Sequence, residues 1–157
     1  MDAITLLKTD HDAVTKLFRE YKSAKRAGPA ARSKIIANVI KDLSVHAAIE
    51  EQVFYPAVRE EVPDLEDDIL ESLEEHHVLK WTLAELSGLE PRDERYDAKV
   101  TVMMEQVRHH VEEEESNWFP KVRAALSRTR LRELGAELET AKKHAPRTPE
   151  PDRVVPR

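Results

Sequence analysis

The most chemically suggestive feature of the sequence is a histidine followed four positions later by a glutamate, which occurs twice. One copy is His46 with Glu50, and the other is His110 with Glu114. In a helix, residues four positions apart share one face, so each copy presents an imidazole beside a carboxylate. Such donors bind divalent transition metals, and one carboxylate can join two cations about 3.5 to 4 Å apart. The chain has no cysteine, so any metal must be held by histidine, carboxylate or water.

Two further histidines each follow an acidic residue, as Asp10-His11 and Glu75-His76. They lie 35 and 34 residues before the histidine of the next His-x3-Glu copy. The sequence therefore contains two similar segments, which we interpret as two helical hairpins.

Apolar residues at three- and four-residue spacing predict four helices that position these groups. Breaks at Gly28-Pro29, at Val62-Pro63 and at Gly88 separate each helix from the next one along the chain. The predicted helices are Ala3–Ala27, Ala30–Glu60, Asp64–Ser87 and Asp97–Leu126. Short connections make neighbouring helices antiparallel, so the predicted fold is all-α, an up-down-up-down four-helix bundle.

Position along antiparallel helices corresponds to depth in the bundle. His11 lies 17 residues before Gly28 and His46 lies 18 residues after it, so the two meet at one level at about 1.5 Å per residue. Similar counts around the other turns bring all four helices' histidines to this level. Buried glutamates in the same layer cost several kcal/mol each unless they are paired or bind metal. The predicted metal ligands are His11, His46, Glu50, His76, His110 and Glu114.

Length and composition set the remaining expectations. The 157 residues predict a bundle over 1–126, a short fifth helix within 127–145 and a disordered proline-rich tail over 146–157. A net charge of -6 without a basic stripe predicts no nucleic-acid partner. The sequence shows no targeting segment and no apolar run of membrane-spanning length, so we expect a cytoplasmic protein with no membrane partner.

The histidine and glutamate motifs combine into a longer pattern. It runs through Asp10-His11, His46-x3-Glu50-Glu51 ending in Tyr55-Pro56, Glu75-His76, and His110-x3-Glu114-Glu115 ending in Phe119-Pro120. This pattern resembles the hemerythrin-like (HHE cation-binding) family over residues 3–126. The resemblance implies two non-haem irons joined by an oxygen-derived bridge, with oxygen, peroxide or nitric oxide as the small ligand. It also implies the following arrangement: His11 and His46 toward one iron, His76 and His110 toward the other, and Glu50 and Glu114 as bridging carboxylates.

Two departures from the oxygen-carrying members of that family bear on the expected chemistry. Those proteins have a histidine one turn before the third-helix ligand, where this chain has Ser72, and a His-x4-Asp in the last helix instead of His110-x3-Glu114. We hypothesise that water or Glu75 fills the position left by the missing imidazole. The resulting expectation is a site that reacts with peroxide or nitric oxide, or that senses iron or oxygen, rather than a reversible oxygen carrier.

Several alternatives stay open at this point. A ferritin-like oxidase needs two Glu-x-x-His elements, and only Glu74-x-x-His77 fits. A zinc-binding or metal-free helical interaction module is the other alternative, with the buried polar residues acting as a specificity network. Catalase-like activity is left undecided, no catalytic residue is assigned, and no protein partner is identified. Tyr55 is interpreted as packing, and the neighbours of the proposed ligands as outer or surface groups, namely Glu51, His77, His109 and Glu115.

Overall fold

The computed structural model describes residues 1–151, and within that range it contains helices and no strand. Two five-residue π-helical turns, Glu50–Phe54 and Glu114–Trp118, continue one α-helix directly into the next. The α-helices are α1 (Ala3–Ser23), α2 (Pro29–Ile49), α3 (Tyr55–Glu61), α4 (Glu66–Gly88), α5 (Tyr96–Glu113), α6 (Phe119–Ala125) and α7 (Arg128–His144). The four predicted bundle helices correspond to α1, to α2 with α3, to α4, and to α5 with α6. The predicted all-α bundle with a C-terminal fifth helix is confirmed.

Local sequence explains where the bundle helices begin. The Asp2 side chain accepts a hydrogen bond from the Thr5 backbone at 2.8 Å and caps α1. Before α2, Gly28 adopts a φ of 97°, which residues with a side chain rarely adopt, and Pro29 supplies the fixed φ favoured in a first helical turn. This pair reverses the chain and sets α1 and α2 side by side.

The core consists of two apolar clusters separated by a polar layer. One cluster contains Ile4 and Leu7 of α1 together with Phe54, Ile69 and other side chains. The second cluster lies on the opposite side of the histidine layer. It includes these core residues: Val14, Phe18, Val39, Leu83, Val100 and Met103. Burying one such large side chain contributes about 1.5 to 3 kcal/mol, so the clusters hold the four helices in register on both sides of the polar layer.

The fifth helix, α7, covers the first of these clusters. Leu131, Leu134 and Leu138 of α7 are buried within it. Ser127 caps the helix by accepting a hydrogen bond from the Arg130 backbone at 3.0 Å. Gly135 lies so close to the amino-terminal backbone that a Cβ there would be 2.1 Å from the carbonyl oxygen of Met1. The helix is therefore packed tightly onto the start of α1.

The carboxyl-terminal residues and the helix lengths bear on two further expectations. Residues 146–151 form no helix or strand, whereas 152–157 of the predicted disordered tail lie outside the described residues. Among residues 1–151, no helix combines the length and the apolar character needed to cross a membrane. A cytoplasmic location stays a prediction.

Candidate metal centre

The polar layer brings all six predicted ligands together from four helical segments. Glu50 Oε1 lies 3.1 Å from His46 Nε2 and 3.3 Å from His76 Nε2. Glu114 Oε1 lies 3.3 Å from Nε2 of His11 and 3.4 Å from Nε2 of His110. Each glutamate therefore lies between a histidine of its own hairpin and a histidine of the other.

The donor atoms form two overlapping groups of the size a metal ion requires. In one group the donor atoms of His11, His46, Glu50 and Glu114 all lie within 4.8 Å of one another. In the other group, Glu50 is combined with His76 and His110. Because both groups include Glu50, the arrangement fits two neighbouring cations that share a carboxylate.

Several of these buried donor atoms have no hydrogen-bond partner. They are Nε2 of His11, Nε2 of His46, both carboxylate oxygens of Glu50 and Oε1 of Glu114. Leaving a buried polar group unpaired costs about 1 to 3 kcal/mol, and more when the group is charged. Histidine–glutamate ion-pair contacts of 3.1 to 3.4 Å are present in the layer, but the atoms named above complete no hydrogen bond. The donor set therefore fits a bound cation.

The opposite ring nitrogen of every predicted ligand histidine faces a carboxylate. A carboxylate can only accept, so Nδ1 must donate, which directs the lone pair of a neutral ring at Nε2 toward the inner layer. The four Nδ1–oxygen pairs are His11 with Glu115 at 2.7 Å, His46 with Asp10 at 3.0 Å, His76 with Glu51 at 3.0 Å, and His110 with Glu75 at 3.3 Å. This outer set fixes the orientation of all four rings.

Asp10 and Glu75 do not contact the histidine that follows each of them in the sequence. Asp10 and Glu75 contact the histidine on the partner helix of their own hairpin, whereas Glu51 and Glu115 reach across to the other hairpin. The acidic residue next to a histidine in the sequence indicated that two segments of the chain are similar. It did not indicate which histidine each carboxylate contacts.

Lysines extend two of the histidine–carboxylate pairs. Lys80 Nζ lies 2.6 Å from Glu51 Oε1, with both side chains at most 10% exposed. Lys142 of α7 forms an ion pair with Asp10. Neither lysine was predicted from the sequence to be part of the site, although Lys80 falls on the inward-facing stripe of α4.

The surplus of carboxylates changes the acid–base properties of the metal-free layer. Burial opposes protonation of His46, but Glu50 and Asp10 outweigh it and raise the pKa of His46 to about 10. Burial likewise opposes protonation of His76, but Glu50 and Glu51 raise its pKa to about 9. Burial raises the pKa of Glu50, whereas the nearby histidines lower it more, so its pKa lies well below the ordinary value. Any cation must therefore displace protons from these imidazoles.

Tyr55 also belongs to the layer, although its side chain was interpreted as packing. Its buried hydroxyl donates a hydrogen bond to Glu114 Oε2 at 2.9 Å. The hydroxyl oxygen also lies 3.3 Å from His76 Nε2 and 3.2 Å from His110 Nε2. Burial and the neighbouring carboxylates raise the pKa of Tyr55 well above its ordinary value, which favours the neutral phenol. Its ring also packs against Trp118, with 5.3 Å between the centroids of the two rings.

Glu75 does not occupy the position given to it by our hypothesis. It contacts Nδ1 of His110, on the outer edge of the ring, whereas the Tyr55 hydroxyl faces Nε2 of both His76 and His110. Ser72 is buried one turn before His76. Tyr55, rather than Glu75, therefore faces these two inner nitrogens.

The two π-helical turns begin at the two glutamates of the inner layer. Tyr55 N–H bonds to the Glu50 carbonyl, and Phe119 N–H bonds to the Glu114 carbonyl, five residues back in both cases. Pro56 and Pro120 come next, and proline has no N–H to donate to an ordinary helical hydrogen bond. The widened turns are typical of functional sites in helices. The repeated aromatic–proline pair was the sequence signal for them.

The bundle and its buried histidine–glutamate layer define a helical protein with a site suited to metal. The family model described as the hemerythrin HHE cation binding domain matches residues 2–122. The chain therefore belongs to the hemerythrin HHE cation-binding family, as the sequence pattern predicted.

Two known proteins are similar to the chain. A hemerythrin HHE cation-binding domain-containing protein of Mycobacterium kansasii has the same fold, with a TM-score of 0.75 and 19% identity over 92% of this chain and 89% of that one. A DNA nickase of Nostoc sp. (strain PCC 7120 / SAG 25.82 / UTEX 2576) is 29% identical over 142 residues. That match covers 90% of this chain but spans only 39% of the nickase.

Proposed function

We propose that this chain is a non-haem di-iron protein whose centre binds a small oxygen or nitrogen ligand such as oxygen, peroxide or nitric oxide. One iron would be held by His11 and His46 and the other by His76 and His110. Glu50 and Glu114 would be shared between them. When bound, the irons supply redox chemistry toward the small ligand. The proposal includes sensing of iron or oxygen through the same centre.

The observation that carries this proposal is the convergence of buried donor atoms that have no hydrogen bond. His11, His46, Glu50 and Glu114 all contribute such atoms to one layer. A hydrogen-bonded specificity network would be expected to satisfy its own members, because a half-satisfied buried network is destabilising. The donors therefore favour a cation over the metal-free alternative.

The charge of the layer supports two divalent cations rather than one. Six carboxylates lie in its inner and outer shells, and two lysines neutralise part of their charge. With neutral imidazoles the layer carries a formal charge of -4, which two divalent cations balance. Histidine with carboxylate donors suits iron, whereas structural zinc sites more often contain the cysteine that this chain lacks.

This chain's own residues also shape the surroundings of the small ligand. Two apolar clusters enclose the layer from both ends and limit the access of water. The Tyr55 hydroxyl lies 3.3 Å from Nε2 of His76 and 3.2 Å from Nε2 of His110, and it donates a hydrogen bond to the carboxylate of Glu114. Tyr55 is thus placed to position a ligand at that end of the layer.

The direct test is the metal stoichiometry of the full chain. Metal-free protein is titrated with Fe(II) without oxygen, and separately with Zn(II), and the bound metal is measured after gel filtration. We expect two irons per natural chain and substantial loss in Glu50→Gln and His76→Gln. The matched control is His77→Gln, because His77 is adjacent to His76 but lies about 100° away around the helix.

Each outcome favours one of the interpretations. Full occupancy by iron, lost in the two ligand variants but kept in the control, supports the proposal. Preferred binding of zinc at the same stoichiometry supports the zinc alternative. A chain that binds neither metal, and whose unfolding is indifferent to chelators, supports the metal-free interaction module and overturns the proposal. DNA nicking is not part of the proposal, because the match spans only 39% of the Nostoc nickase.

A further inference from the structure

A cavity of about 540 Å³ connects the histidine layer with the surface of the bundle. His11, His46, His76 and His110 line its inner end. Its walls include Val14, Leu43, Ala47, Val107 and Val111. The lining residues that are exposed all belong to α4 and α5, so the cavity opens between these two helices: Glu71, Glu74, Val78, Glu105, Gln106 and His109.

The mouth of this cavity is acidic. Glu71 and Glu74 of α4 and Glu105 of α5 contribute exposed carboxylates, and no lysine or arginine of residues 1–151 lines the cavity. Further in, the half-buried Glu75 contacts His110. Carboxylates therefore extend from the rim to the ligand layer, and such an arrangement attracts cations and repels anions.

An independent observation at the inner end indicates what the acidic mouth attracts. Nε2 of His11 and Nε2 of His46 are buried, have no hydrogen-bond partner and belong to residues that line this cavity. The side chains of these histidines are only 4% and 8% exposed. Imidazole nitrogens that make no hydrogen bond, at the end of an acidic passage, are suited to receive a metal cation.

The dimensions of the cavity fit a hydrated cation. A shell of six waters occupies roughly 180 Å³ at about 30 Å³ per water, which is about a third of the cavity volume. The two apolar clusters close the layer from above and below, where a cation would have to lose its water among hydrocarbon side chains. The passage between α4 and α5 avoids this desolvation until the histidines replace the water.

We propose that the cavity between α4 and α5 is the route by which a hydrated divalent cation reaches the histidine layer, and that Glu71, Glu74 and Glu105 accelerate its uptake. This inference rests on the proposed function, since it requires that the layer bind metal. Under this proposal the rim glutamates affect the rate at which the cation is taken up, and they do not hold the cation at equilibrium.

The test measures the rate and the extent of uptake separately. Co(II) is mixed rapidly with the full metal-free chain, and uptake is followed by its visible absorption at low and high ionic strength. The test variant is Glu71→Gln/Glu74→Gln/Glu105→Gln. We expect uptake at least about threefold slower at low ionic strength, a weaker dependence on salt, and an unchanged final stoichiometry.

A charge-matched control isolates the position of the carboxylates from the net charge of the protein. Glu20→Gln/Glu60→Gln/Glu90→Gln removes the same number of carboxylates, none of which lines the cavity. A second variant, Val78→Trp, narrows the mouth at a half-exposed position and should also slow uptake. Equal rates for the rim and control triple variants would overturn the route, and so would unhindered uptake in Val78→Trp.

The two proposals fail in different ways. If the natural chain binds no Co(II), Fe(II) or Zn(II) at equilibrium, the proposed function fails, and the route fails with it. If the natural chain reaches full occupancy but the rim variants load at the natural rate, only the route fails.

Discussion

Replacing Lys80 by methionine removes one partner of a buried ion pair while keeping a long apolar side chain. Lys80 Nζ lies 2.6 Å from Glu51 Oε1, and the exposed fractions of the two side chains are 10% and 6%. Burial raises the pKa of Glu51, but His76 and Lys80 outweigh this effect and hold the pKa below its ordinary value. Without the lysine, Glu51 is left as a buried carboxylate whose remaining partner is His76.

The expected cost is set by this burial. Removing one partner of a buried ion pair typically costs about 3 to 5 kcal/mol. Because His76 still donates to Glu51, we expect the lower end, about 3 kcal/mol, in the free energy of unfolding of the metal-free protein. Adding Glu51→Gln to Lys80→Met removes the uncompensated charge and should recover more than half of the loss.

The measurement is urea unfolding of the metal-free chain in the presence of a chelator, with the denaturant slope compared among variants. The control is Lys99→Met, because Lys99 pairs on the surface with Glu85, which is 55% exposed. Such a pair contributes at most about 1 kcal/mol. A cost for Lys80→Met no larger than that for Lys99→Met, or a double variant as unstable as Lys80→Met alone, would refute this prediction.

Three further predictions concern stability. The raised pKa values of His46, about 10, and His76, about 9, mean that the folded metal-free protein binds more protons than the unfolded chain above pH 6.5. Their stabilising contribution is complete below pH 6.5 and is lost as the pH rises toward 10. Urea unfolding in chelator should therefore give a lower free energy of unfolding at pH 9 than at pH 6. A free energy of unfolding that does not change with pH would contradict this. Gly135→Ala gains about 1 kcal/mol of helix propensity, but its new Cβ would be 2.1 Å from a backbone carbonyl oxygen. Thermal unfolding should therefore show a net destabilisation of about 1 to 2 kcal/mol. The control Gly88→Ala, which has open space around it, should show no destabilisation. Tyr55→Phe removes the donor to a buried carboxylate and should lower the unfolding free energy of the metal-free chain by about 1 to 3 kcal/mol; an unchanged value would show that this hydrogen bond contributes nothing to stability.

Much of the fold can be predicted from patterns that are local in the sequence. Apolar spacing of three and four residues, together with Gly28-Pro29 and Val62-Pro63, placed the helices within a few residues of their observed bounds. Counting from these turns placed the predicted ligands at one depth, because helical rise is constant and short turns force antiparallel packing. Their proximity in the structure agrees with that count, and their role as metal ligands stays a prediction.

The surroundings of the layer depended on how the helices pack against one another. Asp10 and His11 are adjacent in sequence, yet their side chains point about 100° apart on a helix, so Asp10 meets His46 on the next helix instead. Tyr55 was likewise interpreted as packing, because its spacing is compatible with a core position. Only the π-helical turn and the neighbouring helices bring its hydroxyl to Glu114.

The sequence by itself determined the helices, their antiparallel order, the family and the depth of the histidines, since each depends on residue types at fixed spacing along one chain. The tertiary structure decided which carboxylate orients which histidine, that Lys80 and Lys142 extend two of these pairs, and that a cavity opens between α4 and α5. These features depend on the rotation and separation of neighbouring helices. Many different side chains contribute to that packing together, and no single spacing in the sequence specifies it.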